Sequence, residues 1–106
     1  MRSGLRMNYR NEYLLRVVRY LSCAICGAED GTVVAAHSNQ QKHGKGTGIK
    51  ADDWRIAALC HKCHAHIDQG KDLTKDERRE LWNEAHEKTL DQMFKRGILE
   101  VSKYWR

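Results

Sequence analysis

The stretch LCHKCH at residues 59–64 decides the fold, because it holds Cys60 and Cys63 with two residues between them. A second pair with the same spacing, Cys23 and Cys26, lies earlier in the chain in CAIC. Two cysteines spaced in this way in a tight turn direct both sulfurs at one centre, and zinc takes four thiolates in a tetrahedron. The alternative, two unrelated redox or core pairs, requires both spacings to be a coincidence. The sequence therefore predicts one closed structural zinc site.

Two short apolar runs flank these cysteines and predict strands. Residues 31–37, GTVVAAH, end at a histidine, and residues 55–59, RIAAL, lead directly into the second cysteine pair. Short β-branched and apolar runs bounded by glycine or polar residues are typical of strands. The polar residues 38–53 between them predict a loop, and a loop of this length in a compact domain is usually functional or disordered.

Three helices are expected around the two strands. One follows the second cysteine pair and ends near Gln69. A capping box at Thr74 and Glu77 and an apolar stripe with helical spacing predict a long helix over residues 74–96. Apolar side chains at helical spacing also predict an N-terminal helix over residues 8–21.

The length of the chain predicts a single domain, and the expected strands and helices make it α+β. The chain has 106 residues, of which 41% are hydrophobic and 31% are charged, and this leaves a lean apolar core. We assign residues 1–106 to one zinc-stabilised domain with its core at residues 23–69. The tail, residues 98–106, is expected to form a short strand or an ordered extension, because Tyr104 and Trp105 would be unusual in a free end.

Charge and hydropathy indicate the compartment and the partner. No apolar run approaches the roughly 20 residues of a membrane span, and the N-terminus lacks the apolar segment of a secretory signal. We therefore expect a cytoplasmic protein without a membrane partner, in which close cysteine pairs favour metal over disulfides. A net charge of +5 attracts polyanions such as nucleic acid.

A second group of metal-binding side chains follows the second cysteine pair. His64 and Asp68 are four positions apart, so the predicted helix places them on one face. Together they can hold a divalent cation and leave most of its coordination sphere open to water and substrate oxygens. The alternative is an accidental pair on a solvated helix face. His37 alone is more typical of a buried, satisfied side chain.

The order of these features resembles the ββα-metal finger of the HNH endonuclease superfamily. A strand that ends in histidine is followed by a loop, a second strand, a cysteine pair and a metal-binding helix. The residues that carry the resemblance are Cys23-x-x-Cys26, Ala36-His37 and residues 59–64 with Asp68. Within the superfamily the chain is most similar to small prophage-encoded nucleases. The resemblance covers residues 23–69.

The resemblance implies a role for each matching residue. His37 would be the general base, and His64 and Asp68 would bind a catalytic divalent metal: Mg²⁺, Mn²⁺, Ni²⁺ or Zn²⁺. The middle Asn of the motif is absent from its usual place, and Asp53 is the nearest candidate for its role, followed by Asp52 and Asn39. Ala36 stands where many members have a metal-binding Asp or His. Cleavage products with 5′-phosphate ends also follow from the resemblance.

The loop lysines complete the predicted site. Lys42, Lys45 and Lys50 are candidates for DNA contacts through phosphate, although a solvated loop without a ligand is an equal alternative. The sequence thus predicts a metal-dependent DNA endonuclease. A non-catalytic zinc-finger module that binds DNA is the alternative, and a zinc-held protein-interaction domain is a third hypothesis.

Overall fold

The structure is a computed structural model that describes residues 8–105, and it shows a small α+β arrangement. A two-stranded antiparallel sheet is packed against helices. In chain order the elements are α1 (Glu12–Val17), a 3₁₀ turn (Val18–Tyr20), β1 (Val34–His37), a second 3₁₀ turn (Gln41–His43), β2 (Ile56–Leu59), α2 (His61–Gln69) and α3 (Lys75–Lys95). Among residues 8–105, no helix has both the length and the apolar character needed to cross a membrane.

Strand β2 is buried along its whole length and lies at the centre of the core. It pairs with β1 in a register that sets Val34 opposite Leu59 and His37 opposite Ile56. A two-stranded sheet is marginal by itself. The free edge of β2 is therefore covered by other elements, since the N–H of Ala24 donates to the Ala58 carbonyl at 2.8 Å.

Helix α3 supplies the remaining partners of the sheet from its buried face. Thr89 Oγ1 accepts the N–H of Ala58 at 2.9 Å and donates to the Ala85 carbonyl at 2.8 Å. His86 Nδ1 donates to the Ile56 carbonyl at 2.7 Å. Trp82 Nε1 donates to the carbonyl of Ala36 in β1 at 3.1 Å. Side chains of α3 thus bind the backbone of both strands.

The predicted long helix and the helix after the cysteines are both present. Thr74 and Glu77 form a reciprocal capping box, and α3 ends where Gly97 adopts a φ of +74°. The N–H of Ile98 returns to the Met93 carbonyl, which closes the helix end.

The N-terminal helix predicted over residues 8–21 is wrong in its extent. Helix α1 begins only at Glu12, because the Asn11 side chain accepts the backbone N–H groups of Tyr13 and Leu14 as an N-cap. Residues 8–10 form no helix and contact the long loop instead. The helix then tightens into the 3₁₀ turn before Leu21.

The ends of the chain and of β1 also differ from expectation. The tail forms no strand over residues 98–105, and Tyr104 and Trp105 are 83% and 80% exposed. The expectation of a strand is therefore wrong, and only the start of the tail, Ile98 and Leu99, packs against the core. Strand β1 begins at Val34 rather than at Gly31, because Asp30 accepts the N–H of Thr32 in a turn.

We expect Thr89→Val to destabilise the fold by about 1–3 kcal/mol, because it leaves the buried N–H of Ala58 without an acceptor. Thr89→Ser is the matched control, since it retains the hydroxyl and loses one methyl, at about 1 kcal/mol. Urea unfolding followed by circular dichroism measures both. A valine variant as stable as the serine variant would show that the hydroxyl contributes little.

Candidate functional site

The four cysteine sulfurs form one cluster, as the sequence predicts. All four Sγ atoms lie within 4.8 Å of one another, and Cys26 Sγ is 3.7 Å from Cys60 Sγ. Zinc bonded to sulfur at about 2.3 Å in a tetrahedron sets neighbouring sulfurs about 3.8 Å apart. The cluster is therefore compatible with a structural zinc site.

Each cysteine pair is held in a turn by its own backbone. The N–H of Gly27 donates to the Cys23 carbonyl, and the N–H of His64 donates to the Cys60 carbonyl, both at 2.9 Å. Cys60 also occupies the N-cap position of α2. The cluster thus ties the first turn of α2 to the chain segment that follows α1.

Electrostatics in the cluster favour a cation. Burial raises the pKa of Cys23, but hydrogen bonds from the backbone at Cys26 and Cys60 outweigh burial and lower the pKa to about 6. The pKa of Cys63 is raised by burial and by the neighbouring sulfurs. One thiolate therefore forms readily, and a bound dication would favour loss of the proton from Cys63 as well.

His37, the last residue of β1, pairs with a buried carboxylate. Its Nε2 lies 2.8 Å from Asp53 Oδ1, and Asp53 is 4% exposed. Burial raises the Asp53 pKa, but hydrogen bonds from His37, from the Asn11 N–H and from Arg10 outweigh burial and lower it. The carboxylate is thus ionised and accepts a hydrogen bond from Nε2–H, so the lone pair of a neutral His37 lies on Nδ1.

His64 and Asp68 meet on one face of α2, as their spacing predicts. His64 Nε2 and Asp68 Oδ2 are 3.1 Å apart, with side chains 37% and 39% exposed. Two adjacent ligands of an octahedral magnesium ion at about 2.1 Å would lie about 3 Å apart. The donor set therefore fits a divalent cation that is held by two protein atoms and open on its other sides.

These side chains share one open pocket of about 220 Å³. Its lining brings together the predicted base, both predicted ligands and two of the three predicted lysines. The lining residues are His37, Ser38, Asn39, Lys45, Lys50, His64 and Asp68. Asp53 lies behind His37 and lines a neighbouring pocket that also contains Lys50.

Two residues of the predicted phosphate-binding loop lie elsewhere. Lys42 lines a separate groove with Lys75 and Arg79 of α3. His43 is buried, its Nδ1 is 2.7 Å from Ser38 Oγ, and its ring packs on Trp82. The loop therefore presents lysines to the pocket only from its second half.

Residues ahead of α1 contact this site and were not found from the sequence. Arg10 and Asn11 both bind Asp53, at distances of 3.1 Å and 2.7 Å. Neither residue belongs to a motif, and both are more than 40 positions from Asp53 in the chain. Only the tertiary fold brings them together, so residue spacing carried no signal.

We expect purified protein to contain about one tightly held zinc and Cys60→Ser to unfold it, because zinc binding supplies much of the folding free energy in small domains. His61→Ala, at an exposed neighbouring position, should retain both metal and fold. Metal content and thermal melting measure the difference. Zinc-free protein that melts at the same temperature as the zinc-bound form would contradict a structural role.

Comparison of the chain with models of protein families, with curated proteins and with solved structures finds no match in any of the three. The candidate site thus stands on the geometry of this chain.

Proposed function

We propose that the protein is a metal-dependent endonuclease that hydrolyses DNA phosphodiester bonds. The observation that carries the proposal is the shared pocket. His37 lines the same space as the His64 and Asp68 pair, and two lysines border that space. A base, a cation-binding pair and phosphate-binding charges are the groups that such hydrolysis requires.

His37 acts as the general base in this proposal. Its Nδ1 accepts a proton from the water that attacks phosphorus, since imidazole exchanges protons near neutral pH. Asp53 holds the ring through Nε2 and stabilises the imidazolium that forms. Because the carboxylate is buried, it interacts with the ring more strongly than a solvated carboxylate would.

The open side of the pocket binds the phosphate. His64 and Asp68 would hold the divalent cation, which supplies positive charge at the phosphate and the departing 3′ oxygen. Lys45 and Lys50 contact neighbouring phosphates and fix the strand across the pocket. Cleavage of the bond to the 3′ oxygen leaves a 5′-phosphate end, as the HNH resemblance implies.

A non-catalytic DNA-binding module would use the same lysines but has no use for the pair of His37 and Asp53. Burying a carboxylate costs free energy, and the cost is offset here by three hydrogen-bond donors, one of them the histidine. A DNA-binding module does not need a buried carboxylate that orients one imidazole, so this pair favours catalysis over binding alone.

We expect His37→Ala to reduce metal-dependent nicking of plasmid DNA by about 10²- to 10⁴-fold, because a general base contributes about that much. DNA affinity should stay within twofold of wild type. Asp68→Ala should lose activity together with binding of the second metal.

The pair His66 and Asp72 provides matched controls, since His66 of α2 contacts Asp72 at a similar 3.2 Å and neither residue lines the pocket. His66→Ala and Asp72→Ala should cleave normally. Wild-type protein that binds DNA but never cleaves it with Mg²⁺, Mn²⁺, Ni²⁺ or Zn²⁺ would establish the DNA-binding alternative.

We expect the double variant Lys45→Ala/Lys50→Ala to flatten the dependence of DNA affinity on salt. Each lost phosphate contact reduces the logarithmic slope by about 0.9, so the change should approach 2. Lys88→Ala/Lys95→Ala is the control, because it removes the same charge from α3, where both lysines pair with acidic residues. Equal slopes in the two double variants would remove the loop from the DNA interface.

A further inference from the structure

The segment just ahead of α1, residues 8–11, lies across the long loop and binds it along its length. The N–H of Tyr9 donates to Asp52 Oδ1 at 2.7 Å, and the N–H of Asp53 donates to the Tyr9 carbonyl at 2.8 Å. Asn8 Nδ2 donates to the carbonyls of Gly44 and Lys50, each at 2.9 Å. The loop that borders the pocket is thus held by this segment.

Arg10 makes the contacts of this segment that reach the site. Its Nη1 donates to the Ala51 carbonyl at 2.6 Å and to Asp53 Oδ1 at 3.1 Å, and its Nη2 donates to the Lys50 carbonyl at 2.7 Å. One planar guanidinium therefore joins the backbone that carries Lys50 to the carboxylate behind His37. A lysine could not make this forked set of bonds.

Asp53 binds both His37 and the segment at residues 8–11 through its two carboxylate oxygens. Oδ1 accepts from both His37 and Arg10, while Oδ2 accepts from the Asn11 N–H at 2.7 Å. Rotation of the carboxylate toward or away from the imidazole would break at least one of these bonds. Arg10 and Asn11 thus set the angle at which Asp53 meets His37.

We propose that Arg10 is a positioning residue for the hydrolysis proposed above, acting through Asp53 on His37 and through the Lys50 carbonyl on the phosphate-binding loop. The effect on catalysis in this inference rests on the proposed function. The positive charge of Arg10 also partly offsets the negative charge of Asp53. The carboxylate therefore holds the imidazole in place but favours its protonated form less strongly. Because Asn11 and Tyr9 bind through their backbones, removal of the Arg10 side chain leaves the segment attached.

We expect Arg10→Ala to lower kcat by roughly tenfold to a hundredfold, the order of loss that follows a misplaced catalytic group. DNA affinity and zinc content should not change. The acidic limb of the pH dependence of kcat/KM should move to higher pH, because the unshared carboxylate favours the protonated pair. Arg10→Lys should recover only part of the rate, and added guanidinium ion should restore activity to Arg10→Ala.

Arg16→Ala is the matched control. Arg16 is an exposed arginine of α1 that lies 3.6 Å from Glu12. Its replacement removes the same positive charge as Arg10→Ala but leaves the contacts of Asp53 intact. It should leave kcat and the pH profile unchanged. The inference would be overturned if the rate of Arg10→Ala fell only in proportion to its melting temperature. In that outcome the acidic limb would not shift and guanidinium would not restore activity.

A readout without DNA separates this inference from the proposed function. Proton–nitrogen spectra of the zinc-bound full chain should show His37 with its proton on Nε2, and Arg10→Ala should move the resonance of that proton downfield, because the unshared carboxylate accepts a stronger hydrogen bond. If wild type fails to cleave DNA while this resonance still depends on Arg10, the nuclease proposal fails and the positioning contact stands. An unchanged Nε2 proton resonance in Arg10→Ala overturns the positioning role.

Discussion

The structure depends on satisfying the backbone of one buried strand. Every residue of β2 is fully buried, so each of its polar groups needs a partner inside the protein. One edge pairs with β1, while Ala58 on the other edge bonds to Thr89 of α3 and to Ala24 beside the first cysteine pair. A helix side chain and a cysteine turn thus replace a third strand, and both must dock for the sheet to be stable.

The same strand pair positions the candidate site. Because the register sets His37 opposite Ile56, the histidine leaves β1 beside the point where the loop enters β2, which is where Asp53 lies. At the other end of β2, Cys60 follows Leu59 directly and is the N-cap of α2, whose first turns carry His64. The cysteine cluster and the pocket are therefore linked through one four-residue strand and one helix.

Local chemistry could be predicted from the sequence, and long-range contacts could not. The cysteine spacing, the capping box at Thr74 and the pairing of His64 with Asp68 each depend on neighbours a few residues apart, and all three are present. The family resemblance led to Asp53, whose contact with His37 no periodicity indicates. Arg10 and the burial of His43 were missed because their partners are brought to them only by the fold, and a polar residue in a glycine-rich loop gives no sign of such a partner.

The two halves of the pocket differ in how completely the protein builds them. On the His37 side, the buried Asp53 is held by three donors, one of which is the imidazole. On the opposite side, His64 and Asp68 are over a third exposed, and within residues 8–105 the cysteines form the sole group of three or more ligands close enough to share an ion. Ala36 adds no donor and packs into the core. Under the proposed function, phosphate oxygens would join water in binding a cation that only two protein atoms hold, so cation and DNA would each strengthen the binding of the other by the same factor.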